Sequence, residues 1–307
     1  MYRFTLALSA SLILSSSALA QVLDSSITQH KENQHATASE TSALTGNFGI
    51  ATQYIFRGLS QTNGKPALQG GLDFAHPSGL YAGTWFSNIS WYTDQNAGVK
   101  TAPVALASPA SAGDPYIPGQ SNSTTLEWDL YGGFKGTLAN DWTYDFGAVR
   151  YYYPGQYDSV GAYRNPDTTE VYAALGYKWV QFKYSKAVST YTFGVNESSG
   201  ASYADLTANI PVGDSGLTVL LHAGRQTYPT SANTGYWGSS GGNNDFFSYT
   251  DYKVAVSKEI RGFVYTLAWT QANTKDTAPD GNTTTYMNAF GKNIGRDRVA
   301  FSLLKNF

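Results

Sequence analysis

The chain has 307 residues, no cysteine, 20 Lys+Arg against 22 Asp+Glu, and only 14% charged residues beside 15% aromatic ones. The absence of cysteine excludes a disulfide framework, and a near-neutral balance with no basic block excludes a nucleic-acid binder. No run of 18 apolar residues follows the N-terminal segment, which excludes a helical membrane protein.

The N-terminus carries Arg3, a mostly apolar stretch from Phe4 to Leu14, and Ala18-Leu19-Ala20 before Gln21. This pattern predicts a secretory signal peptide over 1–20, cleaved near Ala20, and hence export. Its removal leaves 19 basic against 22 acidic residues. Residues 21–45 are polar, lack aromatics and show no period, so they read as a disordered periplasmic arm. His30 and His35 lie there without a third ligand, so neither a metal nor any other cofactor is expected.

From Gly46 onward the hydrophobic period is 2. Phe48, Ile50, Thr52, Tyr54 and Phe56 alternate with Asn47, Gly49, Ala51, Gln53 and Arg57, and later segments repeat the pattern. About twelve strands are expected, near 46–59, 67–75, 79–91, 123–134, 142–152, 168–179, 180–191, 202–210, 217–227, 249–259, 263–272 and 296–307. Short connections alternate with long ones rich in Gly, Asn, Ser, Thr and Pro. A soluble sandwich has no reason to collect its long loops at one end, whereas outer-membrane barrels do so. The last ten residues, Arg298 to Phe307, form an amphipathic strand with Val299, Phe301, Leu303 and Phe307 on one face. Such a C-terminal strand is what the barrel assembly machinery recognises. The fold expected is therefore all-β: a transmembrane antiparallel up-and-down β-barrel over 46–307, closed between its N- and C-terminal strands, in the outer membrane.

Rings cluster where a barrel meets its interfaces. Trp142, Trp179, Phe263 and Phe307 fall by the short turns, and Tyr54, Phe56 and Trp91 by the long loops, as two aromatic girdles require. With apolar faces outward, Arg57, Asp73, Glu127, Asp129, Asp145, Glu170, Lys178, Lys183, Asp205, Lys253 and Arg298 point inward as candidate pore-lining residues. Six are acidic and five basic, which implies no strong ion selectivity. Arg57 could meet a solute anion or a lipopolysaccharide phosphate; pairing with Asp73 on the adjacent strand is the preferred reading. Arg150 has the opposite parity and suits the outer headgroup level. The 92–122 connection, with Pro103, Pro109, Pro115 and Pro118, either folds inward as a constriction or stands as an exposed flap.

The segment Gly49 to Asn88, with its Tyr-x-Phe-Arg-Gly-x-Ser-Gln core at Tyr54 to Gln61 followed by Pro66-Ala67-Leu68-Gln69-Gly70-Gly71 and continuing through Gly79 to Trp85 and Ser87-Asn88, resembles the TorF family of porins of Gram-negative bacteria. Glu127 to Gly133, Phe182 to Ser185, Tyr249 to Lys253 and the closing strand add to the likeness. The resemblance implies an outer-membrane barrel that passes solutes, with no settled substrate and no catalytic residues. The 92–122 connection is longer and richer in Ala, Pro and Ser than that pattern.

The function expected is a porin-like channel for passive diffusion of small polar solutes, with outer-membrane lipid and lipopolysaccharide as surroundings. A non-conducting structural or adhesive barrel is the main alternative. An outer-membrane lipid hydrolase is the remote one: beyond the polar arm the histidines are His76 in a short turn and His222, which has inward parity. No G-x-S-x-G elbow occurs in a strand–turn–helix context, so no enzyme is expected.

Overall fold

The computed structural model describes residues 43–96, 123–138, 141–155, 165–195, 198–229, 244–277, 286–288 and 290–307. The expected signal peptide, nearly all of the polar arm with His30 and His35, and residues 97–122 lie outside these. The strands are β1 (Ala43–Ala51), β2 (Ile55–Phe56), β3 (Leu59–Ser60), β4 (Ala67–Ala75), β5 (Leu80–Asn88), β6 (Leu126–Thr137) and β7 (Trp142–Tyr152). They continue with β8 (Thr168–Tyr177), β9 (Val180–Ala187), β10 (Ser202–Pro211), β11 (Leu217–Thr227), β12 (Tyr249–Ile260), β13 (Phe263–Ala272) and β14 (Arg298–Asn306).

All but β2 and β3 form one closed antiparallel barrel of 12 strands, each paired with its neighbours in sequence. Closure is made by β1 against β14, with Asn47 opposite Asn306 and Ala51 opposite Ser302. The seam extends to the last residue, because the Gly46 and Phe307 backbones exchange N–H···O bonds of 2.7 and 2.9 Å. Among the described residues no helix is long and apolar enough to cross a membrane.

At the end holding Ala43 and Phe307 the strands are joined by tight turns. Asp141, Lys178 and Arg261 adopt positive φ there, as short hairpin turns demand. Among the described residues, the longer connections leave the strands at the opposite end. One of these begins with a short helix, Trp91–Asn96, started by Ser90, whose hydroxyl donates to Asp94 at 2.6 Å.

The alternation resolves into two faces. Phe48, Leu72, Phe146, Leu175, Leu206, Leu267 and Phe301 are each more than 40% exposed on the outer wall. Polar side chains such as Asn47, Asp73, Asp145, Glu170, Asp205 and Ser302 are buried on the inner one. This inverts the arrangement of a soluble protein, in which apolar patches beyond a few hundred Å² are rare.

The first strand departs from expectation. It ends at Ala51 rather than reaching residue 59, and the chain then turns into the lumen as the β2–β3 hairpin. Ile55 pairs with Ser60 and Phe56 with Leu59. The turn is Arg57-Gly58, with φ of 45° and 77° at its two central residues, the combination that a twisted two-residue hairpin requires. Tyr54, Ile55, Phe56 and Arg57 are all at most 5% exposed. Alternation is lost because the hairpin is surrounded on both faces. The wall makes room for it: Ile55 packs with Leu220 and the small residues Ala255, Ala268 and Ala300. At Gly58 a Cβ would come within 2.6 Å of the Asp251 Cβ and 2.9 Å of the Ala272 Cβ. Glycine is therefore required there both by φ and by space.

Candidate functional site in the barrel lumen

The hairpin carries Arg57 across the lumen to the far wall. Its guanidinium meets Glu170 of β8 through two bonds of 2.7 and 3.0 Å, and Gln226 of β11 at 2.9 Å. It lies over the Tyr203 ring of β10 at 4.1 Å, with Phe56 at 4.9 Å and Phe193 at 5.6 Å. A planar fork matched to one carboxylate and sandwiched by rings is a geometry that arginine alone provides. The expected partner, Asp73, is not the one found. Leaving the wall takes Arg57 away from β4, and Asp73 accepts instead from the Tyr131 hydroxyl.

Below the hairpin the lumen is bridged by side chains. Tyr81 of β5 donates to Asp145 of β7 at 2.7 Å and also contacts the Tyr172 hydroxyl of β8. Lys183 of β9 stands 4.1 Å over the Tyr172 ring. On the opposite wall His222 lies between Asp251 at 2.9 Å and Asp205 at 3.4 Å. Thr207 contacts its Nδ1 at 2.9 Å, and Tyr203 donates to Asp251 at 3.0 Å. Buried charges are costly unless paired and hydrogen-bonded, and these clusters supply partners for most of them.

Above the hairpin, at the long-loop end, rings enclose a cleft. Phe56, Leu59, Gln61, Trp91, Tyr153 and Phe193 line one part, with Tyr228, Tyr249 and Tyr286 across from them. It holds about 520 Å³ of empty space, counting the solvent at its mouth. The hairpin forms the floor: Ser60 N–H donates to the Ile294 carbonyl at 2.8 Å, and Trp91 N–H donates to the Gln61 carbonyl at 3.0 Å.

Of the eleven inward candidates, Asp73, Glu127, Asp129, Asp145, Glu170, Lys183, Asp205 and Lys253 are buried on the inner face, and Arg57 is buried on the hairpin. Lys178 is not inside. It occupies the β8–β9 turn with φ of 53° and an exposed side chain, because the strand ends at Tyr177. Arg298 sits half-buried at the long-loop end, donating to the carbonyls of Asn293 and Ile294. Asp251 was missed although it shares the parity of Lys253. The strand-borne inward acids then number seven, Asp251 included, against Lys183, Lys253 and His222 on the wall and Arg57 on the hairpin.

Four girdle residues, Trp142, Trp179, Phe263 and Phe307, are exposed on the outer face by the short turns. Tyr54, Phe56 and Trp91 are not in the outer girdle. Tyr54 and Phe56 enter the lumen with the hairpin, and Trp91 begins the short helix above it, so all three are buried. Arg150 projects outward and pairs with Asp167 at 2.8 Å.

A family model matches residues 35–307, which takes in the whole barrel. The chain belongs to the Gcw_chp family. That family is described as a bacterial protein of unknown function. No curated protein matches the sequence. Among solved structures, the chain resembles the KdgM porin at 4% identity, covering 86% of this chain and 98% of that one, with a TM-score of 0.43. It is also similar to the COG4313 outer membrane channel from Pseudomonas putida F1, at 14% identity, 87% and 96% coverage and a TM-score of 0.42. The outer membrane protein OprD from Pseudomonas aeruginosa matches at 13% identity over 88% of this chain and 65% of its own, with a TM-score of 0.35.

Proposed function

We propose that this Gcw_chp chain is an outer-membrane, porin-like channel for small polar solutes, held closed by the β2–β3 hairpin in the state described. The observation that carries this reading is the inverted barrel: an apolar outer wall around a charged, polar interior, with a loop-borne segment inserted in the lumen. A packed soluble core does not hold this many charges, whereas a lumen that takes up water can. In the same reading the N-terminal segment is a leader that exports the chain and is cleaved near Ala20. The seam strand ending at Phe307 is then the segment through which the assembly machinery would recognise the chain. Within the proposal the chain is a TorF-type porin, as the likeness of its Tyr54 to Gln61 segment implies. In it, lipid and lipopolysaccharide contact the outer wall, and the aromatic cleft receives solute from outside.

A second reading is favoured by a specific observation. The Tyr81–Tyr172–Asp145 bridge ties β5, β7 and β8 together inside the barrel, and the Arg57–Glu170 pair ties the hairpin to β8. A barrel whose interior is held by such pairs in every state would serve as a structural or adhesive element. Purified protein in a planar bilayer separates the two. Reproducible single-channel steps in wild type, or after removal of 55–60, support the channel; silence in both supports the structural barrel and sinks the first reading.

A further inference from the structure

Among the described residues one histidine lies inside the barrel, and the groups that meet its ring nitrogens all accept. His222 of β11 is buried, with its side chain 2% exposed. Its Nε2 is 2.9 Å from Asp251 Oδ1. Its Nδ1 is 2.9 Å from the Thr207 hydroxyl and 3.4 Å from Asp205 Oδ1. The Thr207 hydroxyl donates to Asp205 at 2.8 Å, and the Tyr203 hydroxyl, 3.1 Å from Nε2, donates to Asp251 at 3.0 Å. A hydroxyl has one proton to give. With those protons turned to the carboxylates, both ring nitrogens face oxygen lone pairs. A neutral imidazole has a single N–H and satisfies one side; the doubly protonated ring satisfies both. The arrangement is that of an imidazolium held between two aspartates.

The same cluster is the surface on which the hairpin turn rests. Tyr203, bonded to Asp251, presents its ring 4.1 Å from the Arg57 guanidinium. Gly58 lies against Asp251 itself, since a Cβ there would fall 2.6 Å from the Asp251 Cβ. The other charges facing the cluster are Lys183 of β9 opposite Asp205, Lys253 of β12 opposite His222, and Arg57 of the hairpin, which is paired with Glu170. Loss of the second ring proton turns a nitrogen lone pair toward an oxygen and takes from both aspartates the cation they share. A buried carboxylate that loses its counter-charge is costly. The cluster relieves that cost by moving Asp251 and Tyr203, the two side chains that touch the hairpin.

We propose that His222 is a positioning residue for the hairpin. Its second proton fixes Tyr203 and Asp251 as the seat of Arg57-Gly58, so the hairpin is docked while the ring is charged and released as rising pH removes that proton. The inference rests on the reading of the hairpin as the element that closes the lumen, and goes beyond it by naming what controls the closure.

The test uses the full mature chain refolded in detergent. Because the chain has no cysteine, Ser60→Cys places a single thiol on the buried second strand of the hairpin. Its rate of modification by a methanethiosulfonate reagent is followed from pH 6 to pH 10, with His222 and with His222→Gln. Comparing the two at each pH cancels the thiol's own ionisation. At pH 6 the His222 protein is expected to react about tenfold or more slowly than His222→Gln, and the two rates should converge toward pH 10. Tyr203→Phe, which keeps the ring under Arg57 but cuts it from Asp251, should reduce that pH response. Folding of each variant is checked by the mobility difference between heated and unheated samples in SDS gels. At pH 7, ¹⁵N spectra of histidine-labelled protein should show two protonated ring nitrogens for the signal that His222→Gln removes. A rate ratio that is constant at every pH marks His222 as packing only and overturns the proposal. A neutral His222 ring at pH 7, with a proton on an aspartate instead, overturns it equally, as does a pH response undiminished in Tyr203→Phe. Thiol modification does not require conduction, so a silent bilayer alongside pH-dependent modification counts against the channel and not against the seat.

Discussion

Replacing Arg57 with alanine tests how the hairpin is held. The guanidinium makes two bonds to Glu170, one to Gln226, and lies 4.1 Å over Tyr203. Removing it leaves Glu170 as a buried carboxylate with its counter-charge gone. Breaking a buried pair in this way costs about 3–5 kcal/mol, chiefly through the charge left behind. If that energy holds the hairpin in the lumen, its loss raises the undocked fraction by roughly 10²–10³-fold, since each 1.4 kcal/mol is a factor of ten. Two measurements follow on Arg57→Ala, Glu170→Gln and the double variant. Denaturant unfolding in detergent is expected to show Arg57→Ala strongly destabilised. The double variant should recover much of the loss, because the neutral amide that replaces the Glu170 carboxylate no longer needs a cation. The coupling from the double-mutant cycle should exceed about 1 kcal/mol. Planar-bilayer recording should show a rise in open time for Arg57→Ala. Additive single effects together with unchanged recordings would refute the account, leaving the hairpin held by Ile55, Phe56 and the small wall residues instead.

Other outcomes follow from the wall. Leu267, 57% exposed near the middle of β13, faces outward. Its change to Arg is expected to cost about 2–4 kcal/mol in a lipid bilayer, measured by folding into vesicles; the same cost in a detergent-free aqueous refold would contradict a lipid-facing wall. Gly133 is opposite Gly147 across β6 and β7, and a Cβ there would sit 2.3 Å from the Phe146 carbonyl oxygen and 2.9 Å from the Gly147 Cα. Gly133→Val should therefore destabilise by about 1–3 kcal/mol or more through backbone displacement, read from the unfolding midpoint. Deleting Phe307 removes the paired bonds with Gly46 at the barrel seam. Under the proposed outer-membrane reading, the membrane-fraction abundance of the shortened chain, followed by fractionation and immunoblot, should fall several-fold relative to wild type.

The sequence made the wall legible because a barrel's two faces obey one rule with period 2. The strands at 67–75, 142–152, 217–227 and 263–272 were located to the residue, and the alternation of short and long connections gave the topology. The lumen was harder for a physical reason. Inward parity names the residues that face the interior, but it does not say which of them meet across it. Glu170 and Arg57 are 113 residues apart and join only because the hairpin crosses the lumen.

The hairpin itself left a signal that alternation concealed. Phe48 to Phe56 continues the apolar spacing of β1, so the period runs past the point where the chain leaves the wall. The contrary signs are local: Arg57-Gly58, and then Asn63-Gly64 with φ of 52° and 75°, place two turns within eight residues. A membrane-crossing strand cannot accommodate two turns, whereas a lumenal hairpin consists of them. Tyr54 and Phe56 have the right chemistry for a girdle and the wrong neighbours for one. Aromatic type marks an interface in a barrel, yet it equally serves a dry contact inside it, as Phe56 does against Tyr151 and Phe193. The turn residues decide between these uses, and here they place the Tyr-x-Phe-Arg-Gly segment inside the barrel rather than in its wall.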